Sequence, residues 1–105
     1  MITVRFQKTG NKPVAFTLSG HAGYADAGQD IVCAGVSSAV MLTANAVTEQ
    51  FREKAKVTVE ENKISLQLPS NAGVASHKLL EALLEHLTAL SEDYPNTIKI
   101  IVSEV

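Results

Sequence analysis

A chain of 105 residues, 46% hydrophobic and 19% charged, is expected to be one domain, 1–105, whose core closes without disulfides or metal. Its net charge of −2 gives bulk electrostatics no pull toward nucleic acid or an anionic membrane, so neither is expected as a direct partner. The single cysteine, Cys33, excludes an internal disulfide, fits a reducing compartment and leaves a thiol to be explained.

Ile2, Val4 and Phe6 alternate with Thr3, Arg5 and Gln7, a strand pattern and not the charged-then-apolar pattern of a signal peptide. Thr9 to Pro13 is turn chemistry. Val14, Phe16 and Leu18 then alternate with Ala15, Thr17 and Ser19, completing a hairpin with one wet face. From Ala22 to Asp30 no period is present, and Gly23 and Gly28 break the run. A loop of about nine residues is expected here, longer than usual and able to move. Asp30 suits an N-cap or a first-turn acid.

A helix is predicted from there to about Arg52, with Val32, Val36, Val40, Thr43, Val47 and Phe51 as one stripe. Its other sides carry small or apolar residues up to Glu49, so it should be covered on several sides, by the sheet and by a second helix or a second subunit. The apolar part, Ile31 to Val47, is short of the ~20 residues a bilayer needs. Ala55 to Glu60 and Lys63 to Leu68 read as a second hairpin turning at Glu61-Asn62. A leucine stripe, Leu79 to Leu90, marks a second helix ending near Ser91, and Ile98 to Val102 a last strand. The order ββαββαβ with one-sided strands predicts an α+β fold: two layers, an antiparallel or mixed sheet with two helices packed on one face.

Cys33 falls at or near the predicted start of the first helix. There the positive end of the helix dipole favours thiolate, and His21, just past a strand end, is a candidate base. The bland alternative for Cys33 is a small buried core residue. His77 and His86 are weaker candidates, and no close-spaced ligand pair supports zinc, so no metal or cofactor is expected. Ser37 shares the helix face of Cys33, and its plain reading is a packing residue bonded back to a carbonyl.

The run Gly20-His21-Ala22-Gly23-Tyr24-Ala25, followed by Gly28-Gln29-Asp30-Ile31-Val32-Cys33-Ala34 and Val36-Ser37, resembles the signature of the ribosomal-processing cysteine proteases, the Prp family. The resemblance extends over the whole chain in length and element order. It implies a cytoplasmic bacterial endopeptidase that removes a short N-terminal extension from a large-subunit ribosomal protein precursor. It places the catalytic pair on His21 and Cys33 and supporting positions on Gly20, Asp30 and Ser37. It also implies a homodimer and a mobile loop between His21 and Cys33.

On that reading the thiolate attacks the scissile carbonyl, His21 protonates the leaving amine, and main-chain N–H groups at the helix start, that of Cys33 included, hold the oxyanion. Asp30 would orient His21 or fix the loop. Two other classes stand beside it. One is a non-catalytic ribosome-assembly or peptide-binding module with a buried cysteine. The other is a thiol redox or acyl-transfer enzyme, which usually needs a second cysteine or a cofactor motif.

Overall fold

The computed structural model describes the backbone of residues 1–20 and 27–105, and the side chains of residues 1–20 and 31–105. β1 (Ile2–Thr9) and β2 (Lys12–Ser19) form an antiparallel hairpin. Gly10 and Asn11 join them at φ +57° and +66°, the positive angles a two-residue hairpin turn demands. A second hairpin pairs β3 (Lys56–Glu60) with β4 (Lys63–Gln67), Asn62 supplying the positive φ of its turn. β5 (Ile98–Glu104) runs parallel to β1, and the sheet order is β3-β4-β2-β1-β5. The sheet is therefore mixed, and its chain order with helices α1 (Ala27–Asn45) and α2 (Val74–Asp93) is ββαββαβ, as the periodicities predict.

Strand alternation sorts the side chains into two unlike faces. The inner face, from Ile2, Val4, Phe6, Phe16, Leu66 and Ile98, packs with Val32, Val36, Val40 and Val47 of the first helical segment and Leu80, Leu83, Leu84 and Leu87 of α2 in one core. Both helices thus lie on one side. The rings of Phe6 and Phe16, paired across β1 and β2, sit 5.8 Å apart at a tilt, a favourable aromatic arrangement at the core centre. The outer face is polar: Thr3, Arg5 and Gln7 of β1, Ala15, Thr17 and Ser19 of β2, and their partners on β3, β4 and β5.

Four differences from the sequence reading have local causes. The pairing of β1 and β2 shifts after Gln7, leaving Val14 as the extra residue, so Pro13 is buried and Val14 only half-buried. The first helix begins at Ala27, earlier than Asp30, so part of the expected loop is helical. Its last turn, Ala46–Gln50, widens to π geometry, with the Phe51 N–H donating to the Ala46 carbonyl. That widening rotates Phe51 off the valine stripe, and it is exposed, as are Val57 and Val59 of edge strand β3, beyond the reach of the helices. With the π turn included, Ile31–Gln50 is long and apolar enough to cross a membrane. In this fold its valine stripe is instead part of the protein core.

The segment after α1 ties the two helices together. Arg52 takes a left-handed conformation, φ +55°, and the Glu53 N–H closes back on the Val47 carbonyl at 3.0 Å. The Glu53 carboxylate then accepts hydrogen bonds from the fully buried Ser76 hydroxyl at 2.7 Å and the Gly73 N–H at 2.8 Å, capping α2. The Ser76 hydroxyl, then the Gly73 N–H, hold its carboxyl below the ordinary glutamate range. A lowered folded-state pKa stabilises at pH values above the unfolded one and is lost as pH falls through the folded one. The stability difference between native protein and Glu53→Gln, followed by urea unfolding, should be full at pH 7 and shrink as pH drops below about 4. A difference that stays constant to acid pH would show that the charge of Glu53 contributes nothing to the cap.

Candidate active site

Gly20 leaves β2 at φ +74°, a conformation that L side chains avoid. Its N–H donates to the Asn62 carbonyl at 3.0 Å, fastening the end of β2 to the β3–β4 turn. A Cβ at this position would lie 2.8 Å from the Met1 carbonyl oxygen. Conformation and space both require glycine here.

Beside it opens a cleft of about 190 Å³. Cys33 and Ser37 face it from α1, one turn apart, and the sheet contributes Ile2, Leu18, Val59 and Ile64. Val36 of α1 lies at its base, and Gly20, Glu60, Asn62 and Lys63 complete the lining at the strand ends. Cys33 is half-buried, its body packed on the core and its thiol free of any disulfide. Ser37 is exposed, and its hydroxyl makes no hydrogen bond to another described residue, unlike the expected return to a helix carbonyl. The threonines further along, Thr43 and Thr48, do make that return, to the Ala39 and Ala44 carbonyls.

The cleft brings together three of the five expected site residues: Gly20, Cys33 and Ser37. Asp30 is the fourth residue of α1 by its backbone, a first-turn position and not the N-cap. Its side chain, and all of His21, lie outside the described residues, as does most of the segment expected to be a mobile loop. Because α1 begins at Ala27, Cys33 is the seventh residue of the helix and stands beyond its first turn. The dipole effect fades within that turn, and the Cys33 N–H is directed along the helix toward the carbonyl of Gln29. To hold an oxyanion as expected, this N–H would need a second acceptor besides that carbonyl.

No local sequence pattern marks the sheet residues of the cleft as site residues. Val59, Asn62 and Lys63 belong to the second hairpin, far along the chain, and reach the site only because β4 pairs with β2. The one available signal is Val59, an apolar strand residue with 72% exposure, which no helix covers. The other histidines stand elsewhere. The ring of His77 bonds through Nδ1 to the Pro13 carbonyl at 3.0 Å, and His86 is exposed on α2. Among the described residues no three His, Cys, Asp or Glu side chains converge as a metal site.

The family model described as cysteine protease Prp matches residues 1–99. The chain belongs to the Prp family of cysteine proteases. The ribosomal processing cysteine protease Prp of Bacillus subtilis is 26% identical, covering 95% of this chain and 96% of the relative. Among solved structures, SMU.848 from Streptococcus mutans superposes with a TM-score of 0.90 at 26% identity, over 100% of this chain and 96% of that one. Prp from Staphylococcus aureus, solved with a covalently linked product peptide, matches with a TM-score of 0.87 at 24% identity, over 97% and 99% of the two chains. The Prp fold is thus kept where about three residues in four differ.

Two glycines of this Prp-family chain separate backbone strain from crowding. Gly10 has φ +57° with no atom within 4 Å of the place a Cβ would take, whereas Gly20 adds the close Met1 oxygen. Gly10→Ala should cost about 1 kcal/mol from conformation alone. Gly20→Ala should cost more, about 2–3 kcal/mol, and displace the cleft rim. Thermal unfolding of both variants checks this, and equal losses would mean that the Met1 contact gives way freely.

Proposed function

We propose that this protein is a processing endopeptidase that removes a short N-terminal extension from a large-subunit ribosomal protein precursor, with Cys33 as nucleophile. One observation carries the assignment: a cysteine protease needs a thiol, the chain holds a single cysteine, and that cysteine lines a cleft at the strand ends. The relatives support the substrate class, one named for ribosomal processing and another solved with a product peptide. His21 follows the cleft residue Gly20 in the chain and is assigned the proton shuttle. It takes the thiol proton, and the Cys33 thiolate adds to the scissile carbonyl. His21 returns the proton to the leaving amine, and water then releases the acyl group. The Ser37 hydroxyl, one turn along the same face, is assigned a hydrogen bond to the substrate carbonyl, while Asp30 is a supporting residue. The apolar lining from Ile2, Leu18, Val36 and Ile64 suits an apolar substrate side chain beside the scissile bond. The enzyme works in the cytoplasm on this reading, where a lone thiol stays reduced.

The test is purified enzyme with the extended precursor, cleavage being followed by mass spectrometry. Cys33→Ser should lose nearly all turnover, since a hydroxyl is far less acidic than a thiol. His21→Ala should lose rate through the missing proton donor, and the double variant should be no worse than the single ones, because the pair acts as one unit. A Cys33→Ser enzyme that still cuts at near the native rate would remove Cys33 as the nucleophile, and a native protein that binds the precursor without cutting it would transfer the reading to a binding module with a structural cysteine.

The same α1 argues for a second copy of the chain. Its side away from the core presents Ile31, Ala34, Ser38, Met41 and Leu42, with Ile31 63% and Leu42 70% exposed and no charge among them. A helix with an apolar outer side calls for a partner surface, and a homodimer through this side supplies it. Sedimentation at micromolar concentration should show a dimer that Leu42→Glu converts to monomer. A native protein that sediments only as monomer would remove the argument.

A further inference from the structure

The net charge of the chain averages over two unlike surfaces. On the outer face of the sheet, strand alternation places Arg5, Lys56, Lys63 and Lys99, against one carboxylate, Glu60. All five are exposed. This face therefore carries +3, and since the whole chain is −2, everything else carries −5. The acidic residues gather on the other layer, with Glu81, Glu85, Glu92 and Asp93 on α2 alone. The cations span the five strands, roughly 20 Å from β3 to β5.

The centre of the face is a trough. Ala15, the smallest side chain there, leaves a depression continued on both sides as clefts of about 240 and 210 Å³, which share Gln7, Ala15 and Thr17. Lys56 stands in one, beside Thr58, Ser65 and Gln67. Arg5 stands in the other, beside Ser103. The polar part of the lining is therefore hydroxyls and amides, each able to donate and accept, between two cations, over a floor that includes Ala15, Ile101 and the buried Phe16 and Leu66.

We propose that this outer sheet face binds the sugar–phosphate backbone of RNA. The cations match phosphates, and the hydroxyl and amide side chains match the 2′-hydroxyl, itself donor and acceptor. The face holds no aromatic ring on which bases stack, so the backbone of a duplex is read and not a run of bases. Ile101 is its one bulky apolar residue, which gives no wedge for a lipid bilayer. An acidic peptide would use the charges but not the polar trough between them. The face lies on the sheet side opposite both helices, away from the exposed side of α1, and meets the Cys33 cleft only at Glu60 and Lys63 on the strand ends. The inference stands independently of the protease reading.

Fluorescence anisotropy of a labelled RNA duplex of about 20 base pairs, titrated with the full-length protein at low salt, tests it. Binding should weaken with salt with a log–log slope of about −3, for three to four phosphate contacts. The variant carrying Arg5→Gln, Lys56→Gln and Lys99→Gln should bind about tenfold more weakly or worse, while Arg5→Lys, Lys56→Arg and Lys99→Arg together keep binding. Lys63 is left in place because it also lines the Cys33 cleft. Arg52→Gln, Lys54→Gln and Lys78→Gln remove as much charge from elsewhere and should leave affinity unchanged. Equal melting temperatures across the set establish that loss is not unfolding. Absence of duplex binding, equal loss in both glutamine variants, equal affinity for the DNA duplex of the same sequence, or tighter binding of poly-glutamate or phosphatidylserine vesicles would each overturn the proposal.

Discussion

The rotation of α1 about its own axis decides where the chemistry of this molecule sits. Val32, Val36, Val40 and Val47 are each within about 1% of full burial against the sheet, and a helix with such a stripe has one seating. Successive residues turn by about 100°. Cys33 therefore stands at the flank of the stripe, near enough to pack on the core and far enough round to face the cleft. Ser37 comes almost back to the same direction one turn later. Moving the stripe by one residue would bury the thiol or turn it to solvent, so the core valines set the position of the site as firmly as the site residues do.

Much of this is readable from residues. The alternation of Ile2, Val4 and Phe6, the leucine stripe of α2 and the turn residues Gly10 and Asn62 each point to the element found. These are local signals, and the two-layer architecture follows from adding them. The start of α1 is less legible because Ala27-Gly28-Gln29 has neither a strong cap nor an apolar period, and glycine argues against helix. The shift at Val14 and the π turn at Ala46–Gln50 depend on cross-strand and core packing that no short window contains.

The site divides in the same manner. Cys33, Ser37 and Gly20 lie within one continuous motif, and the cleft gathers them. Val59, Asn62 and Lys63 arrive through sheet pairing, and only the register of β2 with β4 puts them there. The charge of the outer face is legible only after register too. The same nine basic and eleven acidic residues yield a net value near neutrality whatever faces they occupy.

Glu53 binds with its backbone to the last turn of the first helical segment and with its carboxylate to the first turn of α2. One residue thus belongs to both helices. Fraying at the start of α2 has to release that carboxylate, and fraying after Val47 pulls it away. Amide protons at these two ends, more than twenty positions apart in sequence, should then exchange with solvent at matched rates, as parts of one opening event. Such matched exchange would make the helical layer one opening unit laid on the sheet.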